Sequence, residues 1–158
     1  MPFAAALEPG LHRRLVDSLY VEAMVMADEA RSYFDGGHDS DTISDPLRRV
    51  AYTCESLKIT TRLMHVIAWL LSQRAWQRGE IMADDLAEDR HRLGAASRTD
   101  LADVADLPFA VRALIGGSQD LYDRVARLQD RLDAMTLRGP LQGRSPAHAL
   151  MDRLLTAF

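Results

Sequence analysis

The stretch Asp45 to Glu80, DPLRRVAYTCESLKITTRLMHVIAWLLSQRAWQRGE, constrains the fold more than any other part of the chain. Leu47, Val50, Cys54, Leu57, Thr61, Met64, Ala68, Leu71 and Ala75 alternate by three and four residues, so an α-helix keeps them on one side. Tyr52, Ile59, Leu63, Val66 and Leu70 fall near the opposite pole of the same helix. A surface helix needs one apolar stripe, and this one has two. The first stripe is taken as the core face. The second is then an assembly surface, and Tyr52, Ile59, Leu63, Val66 and Leu70 form the predicted interface of a homodimer. The competing arrangement folds residues 80–107 over that stripe within one chain. That segment is small and acidic, short of the bulky side chains such a cover requires.

The rest of the chain reads as further helices. Val16, Leu19, Ala23, Met26, Ala30 and Tyr33 repeat with helical spacing, and Gly36-Gly37 stops that helix. Asp45-Pro46 is a cap followed by a first-position proline, and Gly79 closes the central helix. A shorter connector helix is expected over 80–92. A third long helix opens near Pro108, with Val111, Leu114, Ser118, Leu121, Val125, Leu128, Leu132 and Met135 in heptad spacing. Gly116-Gly117 interrupts it and predicts a bend or a close helix crossing. Ser145-Pro146 starts a last amphipathic segment bearing Leu150, Met151, Leu154, Leu155 and Phe158. The expected fold is all-α: an antiparallel three-helix bundle with a short connector helix and a flexible, partly helical C-terminal tail. Residues 1–9 are read as a lead-in, 10–138 as the bundle domain and 139–158 as linker and tail.

Composition narrows the function classes. The 158 residues carry a net charge of −4, which argues against a nucleic-acid binder. Arg48, Arg49, Arg62, Arg74 and Arg78 are the candidates for a basic stripe, and they spread around the helix. The span 45–79 is nonetheless net basic, while 80–106 is net acidic. These opposite signs predict that the connector lies back along the bundle. The longest apolar run, Leu63 to Leu71, is far short of the ~20 residues a membrane span needs. A lone Cys54 without a signal peptide points to a cytoplasmic, reducing setting.

No chemistry stands out. Glu88 and His91 make a single Glu-x-x-His pair, whereas a di-iron bundle needs that motif on two helices besides carboxylates such as Glu22, Glu29 and Glu55. The loop His38-Asp39-Ser40-Asp41 lacks the glycine and the terminal glutamate of a calcium loop. His65 is read as a hydrogen-bonded structural histidine and Cys54 as a small buried apolar residue. Glu55, with Lys58 or Arg62, is expected to orient a neighbouring helix. No catalytic residue, metal site, cofactor or small-molecule substrate is assigned.

The segment CESLKITTRLMHVIAWLLSQRAWQRGEI resembles the core of the bacterial RcdA-like family, regulators of CtrA degradation. ADEARSYFD resembles the end of that family's first helix, LPFAVRALIGGSQDLYDRVARLQDRL its third, and SPAHALMDRLLTAF its terminal segment. Two departures are His65, where glutamine is expected, and Gly116-Gly117, where longer helix formers are. The resemblance implies a dimeric three-helix bundle without catalysis. It implies an adaptor that helps the ClpXP protease receive cell-cycle substrates, notably the response regulator CtrA, together with other adaptors. The partners expected are therefore ClpX or ClpXP, further adaptor or substrate proteins, and a second copy of the chain; no nucleic acid and no membrane. Leu150, Met151, Leu154, Leu155 and Phe158 are the candidate partner-binding residues of the tail. The rival reading is an interaction bundle or transcription-accessory protein with no role in proteolysis.

Overall fold

The computed structural model describes residues 9–37, 42–142 and 154. Helix α1 spans Pro9–Gly36, α2 spans Pro46–Gln77 and α3 spans Phe109–Gln142. Among the described residues there is no strand. The chain divides into two compact units, residues 1–125 and residues 126–158. The second unit carries the later turns of α3. The first holds α1, α2, the connector and the opening turns of α3.

The helix ends follow local chemistry. The Asp45 carboxylate accepts from the Leu47 backbone N–H at 3.0 Å, and Pro46 occupies the first turn, where no N–H is needed. At the other end Gly79 adopts φ +74°, so its N–H reaches the Trp76 carbonyl and the Glu80 N–H reaches the Ala75 carbonyl. That pair of bonds satisfies carbonyls the helix would otherwise leave open. Gly37, with φ 61°, ends α1 in the same conformation.

Within the first unit, α1 runs antiparallel to both of its partners. His12 meets Gln73 and the Tyr33–Phe34 pair meets Tyr52, which fixes α1 against α2. Glu22 meets Arg124 and Met26 meets Gly117, which fixes it against α3. Helices α2 and α3 run parallel, with Arg48 beside Asp106 and Arg62 beside Ser118. Parallel neighbours need a long return, and residues 78–108 supply it. His91, Gly94, Ser97 and Thr99 touch Ser72, His65, Arg62 and Glu55 in turn, so the connector retraces α2 as the charge asymmetry predicts. In place of the helix expected over 80–92 it makes tight 3-10 turns at Asp85–Ala87 and Asp89–His91, and a further one lies at Leu101–Val104.

Two glycines allow close approach. A Cβ on Gly94 would stand 2.3 Å from the His65 ring, so only glycine lets the connector pass there. His65 is thus a half-buried packing residue against the connector. At Gly117 a Cβ would lie 3.1 Å from the Met26 terminal methyl, which makes this the predicted close helix crossing.

The core corrects the assignment of the two α2 stripes. Tyr52, Ile59, Leu63, Val66 and Leu70, predicted as a dimer interface, are buried inside the single chain, Ile59 at 0% exposure. They share the interior with Val16, Leu19 and Ala23 of α1 and Val111, Ile115 and Leu121 of α3. Residues already packed within one subunit cannot also face a second copy. The stripe predicted as core is turned outward instead: Leu47, Val50, Leu57, Met64 and Leu71 are exposed. Cys54, predicted buried, is exposed with them. The physical reason is bulk. The inner stripe carries Ile59, Leu63, Val66, Trp69 and Leu70, whereas the outer one is diluted by Cys54, Thr61 and Ala68.

Candidate functional site

The outer face of α2 is the candidate site. Leu47, Val50, Cys54, Leu57, Thr61, Met64, Ala68 and Leu71 step by three and four along it, the spacing of a coiled-coil seam. Leu57 is 63% exposed and Met64 is 65% exposed, values ordinarily found for charged side chains. The seam covers ~36 Å of helix at 1.5 Å per residue. Polar groups on this face are internally satisfied: Thr53, Thr60 and Thr61 return their hydroxyls to the carbonyls of Arg49, Ser56 and Leu57. A continuous apolar row whose hydroxyls are already spent suits a protein partner better than a polar ligand.

Behind the seam, a polar clamp holds α2 in place. Arg62 is 1% exposed. Its Nε donates to the Ser97 carbonyl at 2.9 Å, one terminal nitrogen to Ser118 Oγ at 3.2 Å and the other to Thr99 Oγ1 at 3.0 Å. Thr99 in turn donates to Glu55 Oε2 at 2.7 Å, and its backbone N–H donates to Gln119 Oε1 at 2.6 Å. Lys58 pairs with the other Glu55 oxygen at 3.0 Å. Burial lowers the Arg62 pKa from its ordinary value, the Glu55 charge opposes that, and Arg98 adds slightly to it. The guanidinium spends its donors on the connector and α3, so the cluster clamps the bundle. This is the orienting role expected of Glu55, extended to residues that helical spacing did not reveal: Thr99, Ser118 and Gln119.

Two exposed-edge ties reinforce it. Arg98 makes a bidentate pair with Asp123, and Arg124 makes one with Glu22 at 2.7 and 3.0 Å. The pairing raises both arginine pKa values, through the hydrogen bond first in each case. Glu88 and His91 are turned to separate partners, Arg90 and Ser72. Among the described residues no group of three His, Cys, Asp or Glu side chains could hold a metal ion. Nor is any described helix long and apolar enough to cross a membrane. Of the tail candidates, Leu154 is exposed. Leu150, Met151, Leu155 and Phe158 lie outside the described residues.

Comparison with known proteins follows the same lines. The family model described as "Protein of unknown function (DUF1465)" matches residues 7–158. No curated protein matches the chain. Among solved structures, the crystal structure of RcdA from Caulobacter crescentus CB15 is similar, with 31% sequence identity and a TM-score of 0.57. The match covers 84% of this chain and 95% of that one. With nearly its whole length in the family model and a structural relative above 30% identity, the chain belongs to the DUF1465 family and is RcdA-like.

Proposed function

We propose that this protein is a non-enzymatic adaptor of ATP-dependent proteolysis that works as a homodimer and helps deliver a CtrA-like response regulator to the ClpXP protease. The likeness to RcdA supports the adaptor role. The observation that carries the protein-binding mode is the exposed heptad row on α2. A second copy of the same row is its natural complement, because a heptad seam buries best against another helix of like spacing. Removing a Leu, Val or Met side chain from water contributes about 1.5–3 kcal/mol. Leu47, Val50, Leu57, Met64 and Leu71 from each copy together are of the order needed to offset the ~4–15 kcal/mol cost of association.

In this reading the terminal segment, with Leu150, Met151, Leu154, Leu155 and Phe158, is a tethered docking helix for the protease or a second adaptor. Reconstituted degradation of the regulator by ClpXP tests the function. The full chain should accelerate it, and a chain lacking residues 145–158 should not, while thermal unfolding stays almost unchanged. Equal degradation with and without the chain, in the presence of the other adaptors, would refute delivery.

The transcription-accessory reading has less to stand on. Arg48 pairs with Asp106, Arg49 donates to the Ile43 carbonyl and Arg62 is buried, which leaves Arg74 and Arg78, close together at the end of α2. A basic stripe able to follow a phosphate backbone does not remain.

A further inference from the structure

Where the start of α1 meets the end of α2, a pocket of about 260 Å³ is lined by Arg13, Asp17, Arg74, Gln77 and Arg78. It is remote in character from the apolar seam. Among the described residues three guanidiniums face one carboxylate, which leaves a local charge of +2. Arg74 is held in position: its guanidinium lies 4.5 Å from the Tyr20 ring centroid and its Nε is 3.5 Å from Asp17. Stacking occupies the face of a guanidinium and leaves its edge donors available. The last carbonyls of α2 take N–H groups from Arg78, Gly79 and Glu80, so these arginines are not consumed in capping them. Gln77 completes the lining, beside the exposed Arg13 and Arg78.

We propose that this pocket binds a phosphoryl monoester dianion, held by Arg13, Arg74 and Arg78. A phosphoryl monoester carries about −1.5 to −2 near neutral pH and several acceptor oxygens, which matches the local +2. A carboxylate would neutralise only half of it. Guanidiniums are the side chains best shaped to grip such a group through paired N–H donors. Among the described residues no aromatic side chain lines the pocket. The site is independent of the adaptor reading.

The test is titration of the full chain, followed by the NMR signals of the arginine Nε groups. The titrants are inorganic phosphate, glycerol phosphate, a phosphoserine peptide and, as the monoanion control, acetate at matched ionic strength. Saturable shifts with the phosphoryl compounds are expected, together with binding about tenfold weaker in Arg13→Gln or Arg78→Gln, equivalent to about 1.4 kcal/mol each. Asp17→Asn, which removes the opposing charge, should tighten binding several-fold. Both arginines are exposed, so circular dichroism should be unchanged. Tighter binding of glycerol phosphate identifies a small-molecule source, and tighter binding of the peptide a phosphorylated partner; either supports the site. Acetate binding as tightly as phosphate, no saturation by about 20 mM, or unaltered binding in the Arg13→Gln/Arg78→Gln double variant would overturn it.

Discussion

The guanidinium of Arg62 on α2 donates to the hydroxyl of Ser118 on α3 across a distance of 3.2 Å, in the interior of the first unit. The same group holds Ser97 and Thr99 of the connector. One side chain therefore joins both parallel helices to the segment that makes their parallel course possible. Arg62→Ala should destabilise the protein by about 3 kcal/mol, because the Ser97 carbonyl and the Thr99 and Ser118 hydroxyls lose a charged donor and Glu55 loses a nearby positive charge. Urea denaturation followed by circular dichroism measures it. A loss below about 0.5 kcal/mol would mean that the clamp does not hold the connector.

The two α2 stripes should respond in opposite ways to truncation. Ile59→Ala or Leu63→Ala opens a cavity in the interior and should cost about 2–5 kcal/mol of stability. Leu57→Ser and Met64→Ser remove exposed apolar surface, and the unfolding free energy of the single subunit should change by no more than about 0.5 kcal/mol. Chemical denaturation at low protein concentration separates the two classes. Equal losses on both stripes would contradict the assignment of inside and outside.

Gly94 and His65 should behave as a coupled pair. Gly94→Ala places a methyl against the His65 ring and should cost about 1–3 kcal/mol by overpacking. His65→Ala vacates that space, so the double variant should recover much of the loss, giving a coupling energy of at least about 0.5 kcal/mol. Additive losses would place the connector elsewhere.

His12 gives the protein a pH response. Its ring is buried against Gln73 and Trp76, and desolvation lowers its pKa below the usual 6.5, opposed by the hydrogen bond to Gln73. A histidine whose folded pKa is depressed is neutral in the folded state where the unfolded chain begins to bind a proton. Its stabilisation is complete above pH 6.5 and is lost as the pH falls from there through the lower, folded value. The urea midpoint should therefore drop as the pH is lowered below 6.5, and His12→Gln should flatten that part of the profile. An identical slope in the variant would assign the response to other groups.

Much of this architecture was legible in the residues. Asp45-Pro46 and Gly79 mark the limits of α2 because capping is local chemistry, and the buried set Val16, Leu19, Ala23 and Ala30 follows directly from helical spacing. The contrast between a basic central helix and an acidic connector anticipated the return path, which Arg48 and Asp106 help to close. The inside–outside choice on α2 was misread because both stripes are apolar and the inner face also accommodates Glu55, Arg62 and Gln73. Periodicity weighs apolar against polar, and it scored those three against the true core face. The large side chains of Tyr52 and Trp69 were the signal available for the right choice. The clamp itself could not be seen, since Arg62 meets Ser97, Thr99 and Ser118 only after the chain has reversed and returned.

Sedimentation equilibrium of the intact chain beside a Leu57→Arg/Met64→Arg variant tests the central claim, that the outer seam of α2 joins two copies. The account predicts a particle of twice 17.6 kDa for the parent chain and a folded particle of 17.6 kDa for the variant. A parent chain that sediments as a monomer at tens of micromolar, or a variant that keeps the doubled mass, would contradict it.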